Sequence, residues 1–201
     1  MSRVERETRE TTIEIVLERG DDASEISTGD AFLDHMIDTL ACYAGLRVRV
    51  QAQGDLRHHV VEDVAIGLGL ALADEVPETC ARFGSAAVPM DDALVHVAVD
   101  VAGRPWYEGR LPSRLYEHFL QSLAMNLGAA LHVEVVRGRD KHHVIEAAVK
   151  ATGLALRQAL ARGEAVFSTK GPVRLEREGP SRRGAGKHAA ESPTKQRRSL
   201  S

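Results

Sequence analysis

The sequence predicts an α/β protein of two layers (α+β), in which a β-β-β-α-β-α unit occurs twice in tandem. The first observation is an internal repeat. The segment that begins at His35 returns at His118, 83 residues later, with the same His, Leu, Ala and Gly positions. The second is that His58-His-Val-Val-Glu62 returns as His142-His-Val-Ile-Glu146, 84 residues later. A duplication is considered first because it changes how every later motif is interpreted.

The third observation is the order of local patterns, which is the same in both halves. Apolar and polar residues alternate over residues 11–18 and 94–101, as in half-buried strands. Helical segments follow over residues 31–44 and 115–127, and Gly45 and Gly128 stand at the position favoured for a helix C-cap. A strand and a second helix complete each half, at 46–51 and 60–74 and then at 130–136 and 144–162. We therefore expect a sheet with helices on one face.

The repeat also sets the expected domain organisation. Residues 1–85 form the first repeat, residues 86–175 the second repeat, and residues 176–201 a disordered basic tail. From residue 174 onward the chain has eight Lys and Arg, three Glu, and almost no apolar side chains. Such a segment cannot bury enough apolar surface to offset the entropy lost on ordering.

The composition excludes several classes of protein. The chain has 201 residues, 43% hydrophobic and 27% charged, with a net charge of −3, so we expect a soluble globular protein with no nucleic-acid partner. The longest nearly apolar run, 64–73, has ten residues, about half of what a bilayer crossing needs, so we expect no membrane span. No secretory signal is visible, because the first residues alternate in charge. Cys42 and Cys80 are expected to be reduced core thiols of a cytoplasmic protein.

The repeated histidines predict a pair of metal ions. Adjacent histidines on a helix project about 100° apart, so one pair cannot easily bind a single ion, whereas a His and a Glu three or four positions later share a face. Each pair can therefore send one imidazole to each of two sites, with the Glu joining one of them and the lone histidine adding a ligand. The eight predicted ligands are His35, His58, His59, Glu62, His118, His142, His143 and Glu146.

These ligands divide into two sites of three His and one Glu, which leave positions open on an octahedral metal for catalysis. Imidazole and carboxylate donors without thiolate favour Mn, Fe or Zn. A doubled His can also be a solvated pair at a helix start, and the later Glu a capping residue. Recurrence of the lone His and the doubled His at spacings of 23 and 24 residues favours the metal interpretation.

From about Arg3 to about Val173 the chain resembles the imidazoleglycerol-phosphate dehydratase family, the lyases of histidine biosynthesis. Many motifs in the order of the family make this resemblance highly specific. The stretches that carry it are Arg6-Glu-Thr-Arg-Glu10-Thr, Phe32-Leu-Asp-His35-Met, Gly54-Asp-Leu, His58-His-Val-Val-Glu-Asp63, Arg82-Phe-Gly, Asp100-Val-Ala-Gly-Arg-Pro105, Glu117-His-Phe, Gly138-Arg, His142-His-Val-Ile-Glu-Ala147 and Ser168-Thr-Lys-Gly171.

The resemblance implies a duplicated fold like domain 2 of ribosomal protein S5, two Mn²⁺ ions per active site, and self-association into a 24-mer with active sites between subunits. It implies a phosphorylated imidazole substrate, imidazole glycerol phosphate, which loses water to give imidazole acetol phosphate. The proton to be removed lies on a carbon with no adjacent carbonyl to hold the resulting charge. Two cations on the two ring nitrogens would favour imidazolate and lower the cost of expelling the hydroxyl.

The resemblance also assigns roles to individual residues. Glu10 matches the family's N-terminal acidic residue that contacts the substrate, and we predict it as the general base. Guanidinium and ammonium groups suit a phosphate dianion. The predicted substrate-binding residues are Glu10, Arg82, Arg104, Lys150, Ser168 and Lys170.

Two segments are shorter than is usual in the family: the one before Ser168 and the one before His58, where only Arg57 separates Gly54-Asp-Leu from the doubled His. A cation beside two predicted ligands would disfavour a divalent ion by repulsion. Two alternatives therefore stay open. One is a catalytically silent metal-binding paralogue that acts as a structural assembly. The other is a different dinuclear metalloenzyme acting on a phosphorylated small molecule, with metal-bound water as the nucleophile.

Overall fold

The computed structural model describes residues 1–20 and 22–163. The elements of the first half are β1 (Ser2–Glu7), β2 (Thr11–Arg19), β3 (Glu25–Ser27), α1 (Ala31–Ala44), β4 (Leu46–Gly54) and α2 (Arg57–Asp74). Those of the second half are β5 (Phe83–Met90), β6 (Ala93–Asp100), β7 (Trp106–Gly109), α3 (Arg114–Leu127), β8 (Ala130–Arg137) and α4 (Lys141–Ala159). The predicted site residues Ser168 and Lys170 and the predicted tail lie outside the described residues.

Each half forms a four-stranded sheet, and the two sheets have the same topology. The strand orders are β1-β2-β4-β3 and β5-β6-β8-β7. The last strand of each sheet runs parallel to its neighbour, and the other pairs are antiparallel. The predicted α/β fold with a duplicated unit is therefore confirmed. The second sheet begins at Phe83, so the predicted division after residue 85 falls inside β5.

The predicted alternation is observed in the central strands of both sheets, where every second side chain is buried against the helices. Each side chain of this kind stabilises the fold by roughly 1.5–3 kcal/mol through removal of apolar surface from water. The buried residues are Ile13, Ile15 and Leu17 in β2 and Val95, Val97 and Val99 in β6.

The first helix of each half ends where the sequence predicts. Gly45 follows α1 with φ of 69°, and Gly128 follows α3 with φ of 75°. Both lie in the left-handed region, which a residue without Cβ adopts at little cost. The chain can then reverse directly into β4 or β8.

The helices of each half cover one face of their own sheet and pack against the helices of the other half. Across the halves, α1 packs on α4 and α2 packs on α3. A repeated glycine lies at each crossing: a Cβ on Gly69 would be 2.6 Å from the carbonyl oxygen of Leu123, and one on Gly153 would be 2.8 Å from that of Leu40. The helices can approach this closely because glycine has no side chain at these positions.

The prediction that both cysteines are core thiols is half wrong. Cys80 is buried, but Cys42 is exposed. Cys42 shares the exposed face of α1 with His35 and Asp38, because positions three, four and seven apart lie on one side of a helix. Separately, no helix within residues 1–20 and 22–163 combines the length and apolarity needed to cross a membrane.

Candidate metal centre

Glu146 of α4 contacts two predicted ligands, one from each half. Its Oε2 lies 3.0 Å from Nε2 of His142 and 3.7 Å from Nε2 of His35. His142 and Glu146 share a face of α4 because they are four positions apart. His35 reaches them because α1 packs on α4. These three residues are called the Glu146 cluster below.

The Glu146 carboxylate is buried and compensated by a cation. Its side chain is 8% exposed, and its Oε1 accepts a hydrogen bond from Nζ of Lys150 at 2.9 Å. Burial raises the pKa of Glu146, but the Lys150 hydrogen bond and charge outweigh burial, so the pKa lies below its ordinary value. The carboxylate is therefore in the ionised form that a metal ligand requires. Lys150, predicted to bind the substrate phosphate, lies directly at this cluster.

The equivalent contact, with the two halves exchanged, joins Glu62 of α2 in the first half to His118 of α3 in the second half. The Glu62 Oε1 and His118 Nε2 atoms are 3.4 Å apart, and the side chains are 44% and 51% exposed. Each lone histidine therefore meets the glutamate of the opposite repeat. The sequence pattern names these residues without pairing them, and the packing of α1 on α4 and of α2 on α3 decides the pairs.

The second histidine of each pair contacts different carboxylates. The Nδ1 atom of His143 is 2.7 Å from Oδ1 of Asp92, and that of His59 is 2.7 Å from Oδ1 of Asp55. A carboxylate at Nδ1 fixes the tautomer of an imidazole that binds metal through Nε2. In His143 the Nε2 atom also lies 3.3 Å from Oδ2 of Asp91. The planes of His142 and His143 are inclined by 76°, so these neighbours face different partners.

These carboxylates were missed in the sequence. Asp91 and Asp92 form the turn between β5 and β6, and Asp55 lies four residues before His59. The available signal was a paired Asp between two alternating strands and an Asp one helical turn before a predicted ligand. The hydrogen bond from His143 lowers the pKa of Asp92 to about 2, and the same bond raises the pKa of His143.

Glu10, the predicted general base, lies in the turn between β1 and β2. Its Oε2 is 3.7 Å from Nδ1 of His59, and its side chain is 57% exposed. The turn is fastened to α2 because Arg6 and Thr11 both bind Asp63: a guanidinium nitrogen of Arg6 is 2.8 Å from Oδ1, and the Thr11 hydroxyl donates to Oδ2. Arg6, Thr11 and Asp63 belong to two of the stretches that carry the family resemblance, and these contacts give them an anchoring role.

The remaining predicted residues occupy separate places. The ring centroid of His58 lies 4.1 Å from that of His59. The Arg82 guanidinium binds both carboxylate oxygens of Asp100, at 2.8 and 2.9 Å, and lowers the pKa of Asp100 although burial opposes it. Arg104 is exposed in the connection between β6 and β7.

The donors are imidazole and carboxylate groups near the N-termini of neighbouring helices. Donors of these two types suit a hard or borderline divalent ion. Among residues 1–20 and 22–163, no group of three or more His, Cys, Asp or Glu is placed as a metal-holding set. In the Glu146 cluster, Lys150 takes one carboxylate oxygen. The described part of one chain thus supplies two partial ligand sets.

A family model and two relatives of known name point to the same family. The model of the family described as imidazoleglycerol-phosphate dehydratase matches residues 28–156. The imidazoleglycerol-phosphate dehydratase of Pyrococcus furiosus is 45% identical over an alignment of 176 residues that covers 83% of this chain and 98% of that protein. The enzyme of the same name from Archaeoglobus fulgidus is 42% identical over an alignment of 179 residues that covers 85% of this chain and 98% of that protein.

Solved structures give the same answer. The crystal structure of the Pyrococcus furiosus enzyme in complex with (S)-C348 has a TM-score of 0.77 at 41% identity, covering 85% of this chain and 100% of that one. The Staphylococcus aureus imidazoleglycerol-phosphate dehydratase has a TM-score of 0.72 at 31% identity, covering 81% and 100%. The family model, the sequence relatives and the solved structures therefore agree that the chain belongs to the imidazoleglycerol-phosphate dehydratase family.

Proposed function

We propose that the chain dehydrates imidazole glycerol phosphate to imidazole acetol phosphate in histidine biosynthesis, in the cytoplasm. One observation carries this proposal: the similarity to proteins named for this activity extends over 98% of their length, at 42–45% identity. A shared fold alone would leave the activity open, because one fold supports many reactions.

We further propose that the eight predicted ligands hold two Mn²⁺ ions, with Fe or Zn as possible substitutes. Support comes from the crosswise contacts, in which His35 meets Glu146 and His118 meets Glu62. The carboxylates at Nδ1 of His59 and His143 add to it, because metal-binding histidines usually carry such a partner. The bound ions would supply positive charge at both nitrogens of the substrate ring.

A third part of the proposal is assembly into a 24-mer with active sites between subunits. His142 and His143 are adjacent, yet one contacts Glu146 and the other contacts Asp92. Ligands that diverge in this way suit two sites completed by donors from neighbouring chains. Light scattering of the full chain with Mn²⁺ should give the mass of 24 subunits.

The residues of the chain have separate tasks in the proposed reaction. Water is lost when one side-chain carbon of the substrate gives up a proton and the neighbouring carbon gives up its hydroxyl. Glu10 accepts the proton from carbon. Its carboxylate is exposed and lies beside His59, on a turn that is held against α2. Arg82, held in orientation by Asp100, joins Arg104, Lys150, Ser168 and Lys170 at the phosphate.

The test combines an assay with genetic complementation. Full-length protein is stripped with EDTA, reloaded with Mn²⁺ and assayed for dehydration, and its gene is introduced into a histidine auxotroph that lacks the dehydratase. We expect Mn²⁺-dependent turnover and growth without histidine. Glu10→Gln should abolish turnover while metal content stays unchanged. Glu7→Gln, an exposed carboxylate in the same hairpin, is the matched control and should behave like the wild type.

Each alternative has its own result. A metal-loaded, assembled protein without turnover or complementation would identify a silent structural paralogue. Metal-dependent release of inorganic phosphate from small phosphorylated substrates, without dehydration, would identify a different dinuclear enzyme. Full turnover by Glu10→Gln would overturn the assignment of the base alone.

A further inference from the structure

Arg57 is the first residue of α2 and stands directly before the predicted ligand His58. An unpaired cation at this place would repel a divalent ion. In the structure the side chain is directed to an acid: Nε of Arg57 donates to Oδ2 of Asp30 at 2.5 Å. The Asp30 side chain is 19% exposed and that of Arg57 is 57% exposed.

Asp30 is also the N-cap of α1. Its Oδ1 accepts hydrogen bonds from the backbone N–H groups of Phe32 at 3.0 Å and Leu33 at 3.3 Å. One carboxylate therefore binds the first turn of α1 through one oxygen and the first turn of α2 through the other. Burial raises the pKa of Asp30, but Arg57 and the two backbone groups outweigh burial, so the pKa lies below its usual value.

The surroundings of the Arg57–Asp30 pair also include residues of the other two helices, α3 and α4. Tyr116 of α3 is buried, and burial together with the Asp30 charge raises the pKa of its hydroxyl to about 12, while the Arg57 guanidinium opposes this rise. The rings of Phe32 and Tyr116 meet edge to face with centroids 5.0 Å apart. Phe32 also lies 5.2 Å from the ring of His142 on α4. The N-terminal turns of all four helices thus meet around this ion pair.

All eight predicted ligands lie on or near these turns. His35 follows Asp30 by five residues on α1, and His58 and His59 follow Arg57 on α2. A small change in the distance between α1 and α2 would move the donors of both helices. We infer that Asp30 and Arg57 are positioning residues for a divalent-cation centre: their ion pair sets the spacing of α1 and α2 and neutralises the charge beside His58.

This inference rests on the proposed metal centre and on no step of the reaction. It also explains how a short connection before the doubled histidine is compatible with metal binding. The alternative is that Arg57 acts as a repulsive charge that weakens the centre. The two views predict opposite signs for the effect of removing the guanidinium.

The experiment measures Mn²⁺ binding to EDTA-stripped full-length protein by titration calorimetry. Arg57→Ala should weaken binding by about 10–100-fold, the usual loss when a group that orients metal ligands is removed. Asp30→Asn should weaken it at least as much, because an asparagine still caps α1 but leaves the Arg57 charge without a counterion. Arg57→Lys should recover part of the loss, since it restores charge without the guanidinium geometry.

The matched control is Arg49→Ala, which removes another exposed arginine in an ion pair: its Nε lies 3.3 Å from Glu25 on the sheet. We expect no change in Mn²⁺ affinity for this variant. Melting of each variant in EDTA separates the roles. A merely structural ion pair would lower the melting temperature of the stripped protein and leave the affinity unchanged, and that result would overturn the inference.

Two further outcomes would overturn the inference, and one outcome supports it. Equal or tighter Mn²⁺ binding by Arg57→Ala would show that the residue is repulsive and would also overturn the inference. Absence of Mn²⁺ binding in the wild type would overturn the proposed metal centre and this inference together. Wild-type binding with a loss in both Arg57→Ala and Asp30→Asn, and none in Arg49→Ala, supports it.

Discussion

The two halves of the molecule carry the same motif in different surroundings. In the second half, Glu146 is 8% exposed and contacts two histidines and Lys150. In the first half, Glu62 is 44% exposed and contacts His118 at 3.4 Å. The residue equivalent to Lys150 in the first half is Ile66, so no ammonium occupies that place. Both halves therefore retain the predicted metal ligands, but the residues that contact these ligands differ between the halves.

The starts of the two helices differ in the same way. Asp140 caps α4, because its side chain accepts a hydrogen bond from the backbone N–H of His142 at 2.7 Å. Leu56 stands at the equivalent place before α2 and offers no side-chain hydrogen bond. The start of α4 is therefore stabilised by its own N-cap. The start of α2 has no such cap and is instead held by the pair of Arg57 with Asp30 of α1.

The largest expected effect tests this asymmetry in metal-free protein. Glu146→Gln should lower the free energy of unfolding by roughly 1–3 kcal/mol, because it leaves the partly buried Lys150 without its counterion. Glu62→Gln should change it by less than about 0.5 kcal/mol, since its contact is exposed. Urea denaturation at pH 7 in EDTA measures both. Equal losses for the two variants would show that the halves are energetically alike.

A smaller effect is expected from the carboxylates that orient the second histidines. Asp92→Asn and Asp55→Asn should each weaken Mn²⁺ binding about 10-fold or more, the lower end of the range for such partners. Asp92 should matter more, because it also accepts the backbone N–H groups of Arg139 and Asp140. Calorimetric titration of stripped protein decides the order. Unchanged affinity in both variants would mean that these carboxylates do not orient metal ligands.

The smallest effect concerns helix capping. Asp140→Ala should destabilise the metal-free protein by about 1 kcal/mol, the usual cost of a lost N-cap. Leu56→Ser should stabilise it by up to about 1 kcal/mol, because Leu56 is half exposed and already has the extended backbone of an N-cap. The measurement is again urea denaturation in EDTA. A destabilised Leu56→Ser variant would indicate that the leucine side chain has a packing role that outweighs the new cap.

Much of the site was predictable because its residues are close in sequence. A His and a Glu four positions apart on one helix face each other in any helix, as His142 and Glu146 do. The partners that come from other elements were not predictable. Asp92 reaches His143 across 51 residues, whereas Asp55 lies one helical turn before His59 and is a local partner. Cys42 is exposed although its neighbours in sequence are largely apolar, because adjacent residues of a helix point to different sides.

By itself the sequence determined the duplicated unit, the ends of α1 and α3, and the identity of the predicted donors. These features depend on periodicity, on glycine at a left-handed cap, and on residue chemistry, all of which act over a few positions. Only the tertiary structure decided that His35 belongs with Glu146 and His118 with Glu62. The reason is physical: the pairs form because α1 crosses α4 and α2 crosses α3 closely at Gly153 and Gly69, and that packing joins residues far apart in the chain.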